Sequence, residues 1–291
     1  MEAPGIVAVM LVAGACHAGW NLVAKRVHTD RTLLLMAASA VIVVVLLPWG
    51  ITHLPDESVL VAVGCVVLRG ILNVVYLVGL SRSYHFFDLS LAYPLVRGIG
   101  PVVAVVLAIW LLGERPAPIG LLGVALVSVA ILAMAATASS TKHQLTPRGS
   151  LMRGAAVIGV TGVTIGAYTV VDKVGMRYWD PVAYLWGVEV IGLVVASTYL
   201  FLRSRGRDLV TVGVKHSRSV ILCAALIASS YILALFALQY SLASYIAPLR
   251  EVSVLFGAVL GMVVLKEDHG PMRILAAGGI AAGLVFVGIA L

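Results

Sequence analysis

Charged side chains are scarce in this chain, and their scarcity excludes a soluble globular fold. Only 11% of the 291 residues are charged, whereas 61% are hydrophobic. A soluble domain carries about 25% charged residues. With a mean hydropathy of +1.07, the sequence predicts a multi-pass, all-α integral membrane protein whose partner is the lipid bilayer.

Motifs for catalysis, metal binding and nucleic-acid binding are also missing. The three cysteines, Cys16, Cys65 and Cys223, lie in apolar runs and are too far apart for a metal site. The chain has no His-Glu-x-x-His, Gly-x-Ser-x-Gly or Gly-x-x-x-x-Gly-Lys-Ser/Thr motif, so we expect no enzyme, no metal, no cofactor and no ATP hydrolysis. Its net charge of +7 comes without basic runs interleaved with aromatic residues, so we expect no nucleic-acid partner.

Long apolar segments fill most of the chain instead. Ten of them, numbered here as spans 1 to 10, lie at residues 5–24, 32–50, 58–80, 88–112, 118–138, 153–172, 181–202, 218–240, 243–265 and 272–291. Most have the roughly 20 residues that a helix needs to cross a bilayer. A polar stretch after span 5 divides the chain into a first repeat at 1–140, a loop at 141–152 and a second repeat at 153–291.

The two halves resemble each other in sequence. Residues 19–25 (GWNLVAK) in span 1 align with 167–173 (AYTVVDK) in span 6, and Tyr76 in span 3 aligns with Tyr231 in span 8. An odd number of spans per half gives the halves opposite orientations. We therefore predict ten transmembrane helices arranged as two inverted five-helix repeats around a central cavity.

Two arginines lie inside apolar spans at matching places in the two halves. Arg97 in span 4 precedes Glu114 by the same interval as Arg250 in span 9 precedes Glu267. A charge inside the membrane is costly and rarely lacks a partner or a task. A guanidinium fork suits a carboxylate or a phosphonate-like group, so the pair predicts a site for an anion. The alternative is a structural ion pair, with Glu251 or Glu189 as the acid.

Basic residues in the loops indicate the orientation. One set of alternate loops holds fourteen arginines and lysines, and the other holds only Arg115, Lys173 and Arg177. The fourteen are Lys25, Arg26, Arg31, Arg82, Lys142, Arg148, Arg153, Arg203, Arg205, Arg207, Lys215, Arg218, Lys266 and Arg273. The positive-inside rule places that set in the cytoplasm and both termini outside.

Polar residues recur at helical spacing in spans 1, 3, 4, 6, 8 and 9, so we expect them to face a central cavity. The predicted substrate-binding residues are Arg97, Arg250, Tyr93, Trp20, Asn21, Arg69, Asn73, Tyr76, Tyr168, Tyr231 and Tyr245. For the aromatic residues the alternative is packing or an interfacial belt, and for Arg69 it is a structural role. Asp172, Lys173 and Glu114, near the ends of spans 6 and 4, are interpreted as residues at the membrane boundary.

Two further roles follow from residue chemistry. Glu189, Glu251 and His17 are candidates for proton coupling, since buried acids and histidines can titrate during a transport cycle. Structural pairing or helix–helix hydrogen bonding is the alternative. Candidate gating hinges are Pro94, Pro101, Pro248 and Gly98, because proline removes a backbone donor and glycine allows close approach. Their alternative is a packing kink.

These features together resemble the EamA-type branch of the drug/metabolite transporter superfamily. The resemblance covers the whole chain and rests on the ten spans, on Trp20 and Asn21 near the end of span 1, and on the segment from Pro101 to Leu-Leu-Gly-Glu-Arg at 111–115. The second half departs from the pattern: Val254 stands where the proline is expected, and Lys-Glu-Asp at 266–268 replaces Gly-Glu-Arg.

Segments 92–98 (AYPLVRG), 167–173 (AYTVVDK) and 247–256 (APLREVSVLF) resemble a narrower subgroup, some of whose members are associated with phosphonate utilisation. The superfamily resemblance implies a helical basket in which spans 1, 3, 4, 6, 8 and 9 line the cavity. It also implies secondary transport, commonly export, of amino acids or other metabolites.

We therefore expect a secondary transporter of a small anionic or amphoteric solute in the bacterial inner membrane, working by alternating access. Protons or sodium would be the coupling ion, and the protein would be a monomer or a homodimer. The alternatives are a passive pore or lipid flippase and, less favoured, a membrane-embedded lipid-modifying enzyme.

Overall fold

The computed structural model describes residues 1–27, 29–87, 89–136, 148–202, 206–265 and 271–291, and these residues form helices joined by short turns, without a strand among them. The helices are α1 (Ala3–Arg26), α2 (Arg31–Thr52), α3 (Val59–Phe86), α4 (Leu89–Leu112), α5 (Pro118–Ala136), α6 (Arg148–Gly175), α7 (Pro181–Leu202), α8 (Gly206–Lys215), α9 (Ser217–Tyr240), α10 (Ala243–Leu249), α11 (Val252–Leu265) and α12 (Pro271–Ala290).

Nine candidate membrane spans are present in this described part of the chain, judged by length and hydropathy. They correspond to predicted spans 1 to 9, and α10 with the first part of α11 forms the ninth. At the position of span 10 the stretch Ile274–Ala290 of α12 is apolar but shorter. The prediction of a multi-pass, all-helical membrane protein is therefore confirmed, while the exact number of ten spans is not.

Predicted span 9 is not one continuous helix, and its break lies next to Pro248, one of the candidate hinge residues. The helix stops at Leu249 and resumes at Val252. Pro248 has no N–H, and the next turn tightens, with the amide of Glu251 donating to the carbonyl of Pro248 at 3.0 Å. This junction presents Arg250 and Glu251 between two helices. Helix α4, by contrast, continues through both Pro94 and Pro101.

A second difference lies in the connection between predicted spans 7 and 8. This polar stretch contains the short helix α8, whose residues are all at least partly exposed. It packs against α2. Its sequence lacks the length and the apolar character of a span, so the connection adds a helix without adding a membrane crossing.

Contacts made by a helix of one half recur for the equivalent helix of the other half. Helix α6 packs on α3 and α4, and α1 correspondingly packs on α9 and α11. The pairs α2–α7 and α5–α12 each join one helix from each half. Such a pattern indicates two halves related by an approximate two-fold axis, with α1, α4, α6, α10 and α11 near the middle.

Helices α5 and α12 approach each other unusually closely. A Cβ atom built on Gly123 would lie 2.6 Å from the carbonyl oxygen of Gly283, and one built on Gly283 would lie 2.7 Å from the carbonyl oxygen of Gly123. Only glycine permits this backbone contact, which fixes the two helices against each other.

Candidate functional site

A cavity of about 270 Å³ lies between α1, α4, α5 and α11. Arg97 lines it and is only 5% exposed, whereas Lys25 and Arg31, which also line it, are exposed. Lys25 and Arg31 flank the connection between α1 and α2, so the cavity opens on the face that carries this connection. Its remaining wall is partly apolar, with Ile131 of α5 and Val254 of α11 among the lining residues.

Arg97 is held from the opposite half of the molecule. Its Nε lies 3.0 Å from Oε2 of Glu251, and its Nη2 donates to Oγ of Ser253 at 3.0 Å. Its guanidinium carbon lies 5.9 Å from the ring centroid of Tyr93, one turn earlier on α4. The break between α10 and α11 brings Glu251 and Ser253 to Arg97. The ion pair expected as the alternative role is thus present, and the same arginine also faces the cavity.

Arg250, the counterpart of Arg97, has an aromatic environment. Its guanidinium carbon lies 5.6 Å from the ring centroid of Tyr168 and 5.5 Å from that of Tyr231, which are cation–π distances. Within the described ranges no carboxylate forms an ion pair with it. Arg250 and Tyr168 line a pocket of about 10 Å³ together with Arg97 and Glu251, and this pocket has room for about one water molecule.

A second buried ion pair joins Arg69 of α3 to Asp172 of α6. Nε of Arg69 lies 3.1 Å from Oδ1 of Asp172 and donates to the hydroxyl of Tyr231 at 2.7 Å. That hydroxyl in turn donates to Oδ2 of Asp172 at 2.6 Å, and Tyr184 donates to Oδ1 at 3.1 Å. The guanidinium carbon of Arg69 stacks 4.1 Å from the ring centroid of Tyr168, which places this cluster beside Arg250.

The sequence interpretation of Asp172 as a boundary residue is wrong, because the residue is fully buried. Helix α6 extends to Gly175, three residues beyond predicted span 6, so Asp172 lies inside the helix bundle. Sequence spacing offers one signal for this position: Tyr168 and Asp172 are four residues apart and share a helix face.

The charges of these residues do not balance. Three arginines inside the spans, Arg69, Arg97 and Arg250, share two carboxylates in the described part of the chain, Asp172 and Glu251. Glu189 is half-buried on α7 beside Ser39 of α2, close enough to Arg69 to interact with it electrostatically, but forms no ion pair among the described residues. Of the three arginines, Arg250 is therefore the one without an ion-pair partner in the described part of the chain.

The face opposite the cavity mouth is closed by hydrogen bonds between the halves. Oε1 of Glu114 accepts from the amide of Ala243 at 2.7 Å, and Oε2 accepts from the amide and hydroxyl of Ser244 at 3.0 and 2.6 Å. These amides belong to the first turn of α10, which has no intrahelical acceptors for them. Glu114, interpreted as a boundary residue, is instead a buried cap that ties α4 to α10.

Two further contacts reinforce this closed face. Nζ of Lys173, another residue interpreted as lying at the boundary, donates to the carbonyls of Leu238 and Ser241 at the end of α9. The hydroxyl of Tyr245 accepts from the amide of Ala117 at 2.7 Å. The sequence predicts that Tyr245 binds substrate, but the structure places its hydroxyl here, away from the cavity.

Around the cavity mouth the structure brings together several predicted residues of α1. Nδ2 of Asn21 donates to the carbonyl of His17 at 2.9 Å, and its Oδ1 accepts from Arg31 at 2.8 Å. The Trp20 ring packs edge-on against His17 at 5.1 Å and lies 5.9 Å from the guanidinium carbon of Arg31. His17 and Asn21 line the cavity.

Of the other predicted residues, two prolines line a pocket, whereas Asn73, Tyr76, Gly98 and Pro248 line neither. Tyr76 packs edge-on against Tyr168 at 6.4 Å, and Asn73 is half-buried on the same helix. Pro94 lines the cavity and Pro101 lines the small pocket. Gly98 faces α5, where an added Cβ would meet Leu132. Pro248 is buried in α10 beside the helix break.

Comparisons with known proteins agree with this architecture. No curated protein matches the chain, but 28 chains of solved structures do. One of them is described only as "Crystal structure of protein"; it is similar with a TM-score of 0.67 and 14% identity, over 98% of this chain and 95% of that one. At this identity the similarity concerns the fold alone.

The sequence pattern of the EamA-like transporter family matches twice, over residues 4–136 and 152–289, one match in each half. The two matches together cover most of the chain and meet at the polar stretch that divides the predicted repeats. The chain therefore belongs to the EamA-like transporter family and is a membrane transporter of the drug/metabolite transporter type.

Proposed function

We propose that this protein is a secondary active transporter that exports a small anionic or amphoteric metabolite, such as an amino acid or an organophosphonate. The observation that carries the proposal is the position of Arg97 on a cavity open to one face, with Arg250, which forms no ion pair among the described residues, on the small pocket that Arg97 also lines. An arginine inside the membrane without an ion-pair partner attracts an anion, and its guanidinium fork suits a carboxylate or phosphonate group.

The proposed topology is ten transmembrane spans in two inverted five-helix repeats around the site. Two observations support it: equivalent helix contacts recur in the two halves, and the family pattern matches the chain twice, once in each half. With both termini outside, as the basic loops favour, the cavity mouth at Lys25 and Arg31 faces the cytoplasm. This orientation, in a bacterial inner membrane, gives a cytoplasmic solute access to the site and suits export.

The proposed mechanism is alternating access. The cavity reaches Arg97 from one face, while Glu114, Lys173 and Tyr245 close the other by contacts between helices. Transport would require these contacts to break as the cavity closes, so that the site opens on the opposite face. A passive pore would need a path through both faces at once.

Glu251 is the best-placed of the three proton-coupling candidates. It is 2% exposed and paired with Arg97, so an anion that binds Arg97 competes with this carboxylate. Displacing a buried carboxylate from its cation favours its protonation. We therefore propose Glu251 as the residue that couples proton binding to transport. His17 lines the same cavity, whereas Glu189 lies elsewhere, beside Ser39.

A ligand screen tests the proposed function directly. Purified protein in detergent is heated with amino acids, carboxylates, phosphonates, nucleosides and cationic drugs, and its unfolding temperature is measured. We expect stabilisation by oxyanions only, worth about 2.7 kcal/mol when the ligand is present at 100 times its Kd. Stabilisation by cations alone would contradict the proposal and would make the arginines structural.

The closed face provides a second test, of alternating access. Glu114→Ala removes the acceptors for the first turn of α10, at a cost of about 1–2 kcal/mol, which shifts the population of the open state about tenfold. The measurement is labelling of a cysteine introduced at Ala247, beside Arg250, by an impermeant maleimide added on that face, with the native cysteines replaced. We expect faster labelling in Glu114→Ala.

The matched control is Glu57→Ala, because Glu57 is exposed in the connection between α2 and α3, predicted to lie on the same face. This variant should label at the parental rate. Equal rates for the Glu114 and Glu57 variants would show that the Glu114 cap does not hold the face closed.

A further inference from the structure

The cavity is lined by basic side chains and by no acidic ones among the described residues. Four residues with basic side chains line it: His17, Lys25, Arg31 and Arg97. Asn21, Tyr93 and Ser253 add neutral polar groups. Of the described residues that line this cavity, none is an aspartate or a glutamate.

Glu251, the acid paired with the cavity residue Arg97, does not change this balance. It lines the small pocket of about 10 Å³ and not the cavity. Its Oε2 lies 3.0 Å from Nε of Arg97, so the charge of this carboxylate is already matched. A cationic group brought to the cavity would therefore meet no acid among the described residues that line it.

The shape of the cavity limits the substrate further. Its volume of about 270 Å³ lies just below the range of roughly 300–1,000 Å³ that is common for small-molecule sites. His17 and Lys25 are eight positions apart on α1, which corresponds to about 12 Å along the helix axis. Pro94, Ile131 and Met134 supply apolar wall, which suits a short aliphatic body.

From this chemistry we infer that the substrate is a small aliphatic oxyanion without an ammonium group. The inference rests on the proposed function and narrows it, because it favours simple carboxylates and phosphonates over amino acids and aminophosphonates. An ammonium group in this cavity would lose water without gaining a counter-charge from the side chains that line it.

Two matched ligand pairs test the inference, with binding to the full-length purified protein measured by calorimetry. The pairs are ethylphosphonate with 2-aminoethylphosphonate, and glutarate with L-glutamate; the members of each pair differ by one amine. We expect the amine-free member of each pair to bind at least about tenfold more tightly. Equal or tighter binding of the aminated members overturns the inference while leaving oxyanion transport intact. Failure of all four to bind overturns the proposed function, and the inference with it.

A variant makes the electrostatic cause testable. Met134→Glu places a carboxylate on the cavity wall, and Met134→Gln is the control of similar size without the charge. The preference for amine-free ligands should shrink at least about threefold in Met134→Glu and stay unchanged in Met134→Gln. An equal change in both variants, or none in Met134→Glu, would show that missing acids are not the cause of the preference. If a variant does not fold, calorimetry of the two ligand pairs with the unmodified protein still tests the inference.

Discussion

Arg250→Ala is expected to abolish transport of an anionic substrate while the protein still folds and inserts. In the described part of the chain Arg250 has no acid partner, so its loss strands no buried carboxylate. What disappears is the cation that attracts the anion, which we expect to cost roughly 2–5 kcal/mol in binding, or at least about 30-fold in affinity. The measurement is counterflow of the identified ligand in proteoliposomes, with size-exclusion chromatography as the folding check.

Arg250→Lys is the informative companion variant. It keeps the positive charge but loses the planar fork, so we expect substantial loss of transport if the anion is held by two parallel hydrogen bonds. Unchanged transport by Arg250→Ala would show that Arg250 takes no part in substrate binding.

The equivalent change at Arg97 is a poorer test of anion binding. Arg97→Ala leaves Glu251 buried and unpaired, which costs roughly 3–5 kcal/mol of folding free energy even without substrate. The double variant Arg97→Gln with Glu251→Gln removes both charges together and is the better comparison at this position.

Asp172→Ala is expected to destabilise the folded protein strongly. It leaves Arg69 buried without its acid and removes the acceptor of the Tyr184 and Tyr231 hydroxyls. We expect the free energy of unfolding to fall by roughly 3–5 kcal/mol, measured by denaturant unfolding in detergent.

Two comparisons separate this effect from a general loss of charge. Asp56→Ala removes an exposed acid from the connection between α2 and α3 and should leave stability within about 0.5 kcal/mol of the parent. Asp172→Leu combined with Arg69→Leu should recover part of the loss, because no unpaired charge remains. Parental stability in Asp172→Ala would mean that the ion pair does not support the fold.

The membrane class and the approximate spans could be predicted because hydropathy and length determine them directly. The sequence marks Pro94, Pro101 and Pro248 as candidate hinges, but it does not show which of these prolines interrupts its helix. Both α4 and the α10–α11 segment contain proline, yet only the latter is interrupted, at Arg250 and Glu251. Whether a proline ends a helix depends on which neighbours satisfy the freed backbone groups, and that information lies outside the local sequence.

The partners of the polar residues were equally hard to predict. The sequence places Arg97 and Arg250 at matching positions but does not show that Glu251 pairs with the former and no described acid with the latter. Asp172 and Glu114 lie near the ends of their predicted spans and resemble boundary residues. Both are buried and accept hydrogen bonds from other helices, which hydropathy along one segment does not reveal.

The pairing of Arg97 with Glu251 also makes the two halves of the site different from each other. In the alignment that matches Arg97 with Arg250, the position of Glu251 is occupied by Gly98 in the first half. The second half supplies an acid to the first half's arginine, whereas no described residue of the first half forms an ion pair with Arg250. For the proposed alternating-access cycle, this asymmetry predicts unequal energies of the inward-open and outward-open forms in the empty protein. An anion bound at Arg250 would reduce this energy difference. The relative populations of the two forms would then depend on whether the site is occupied.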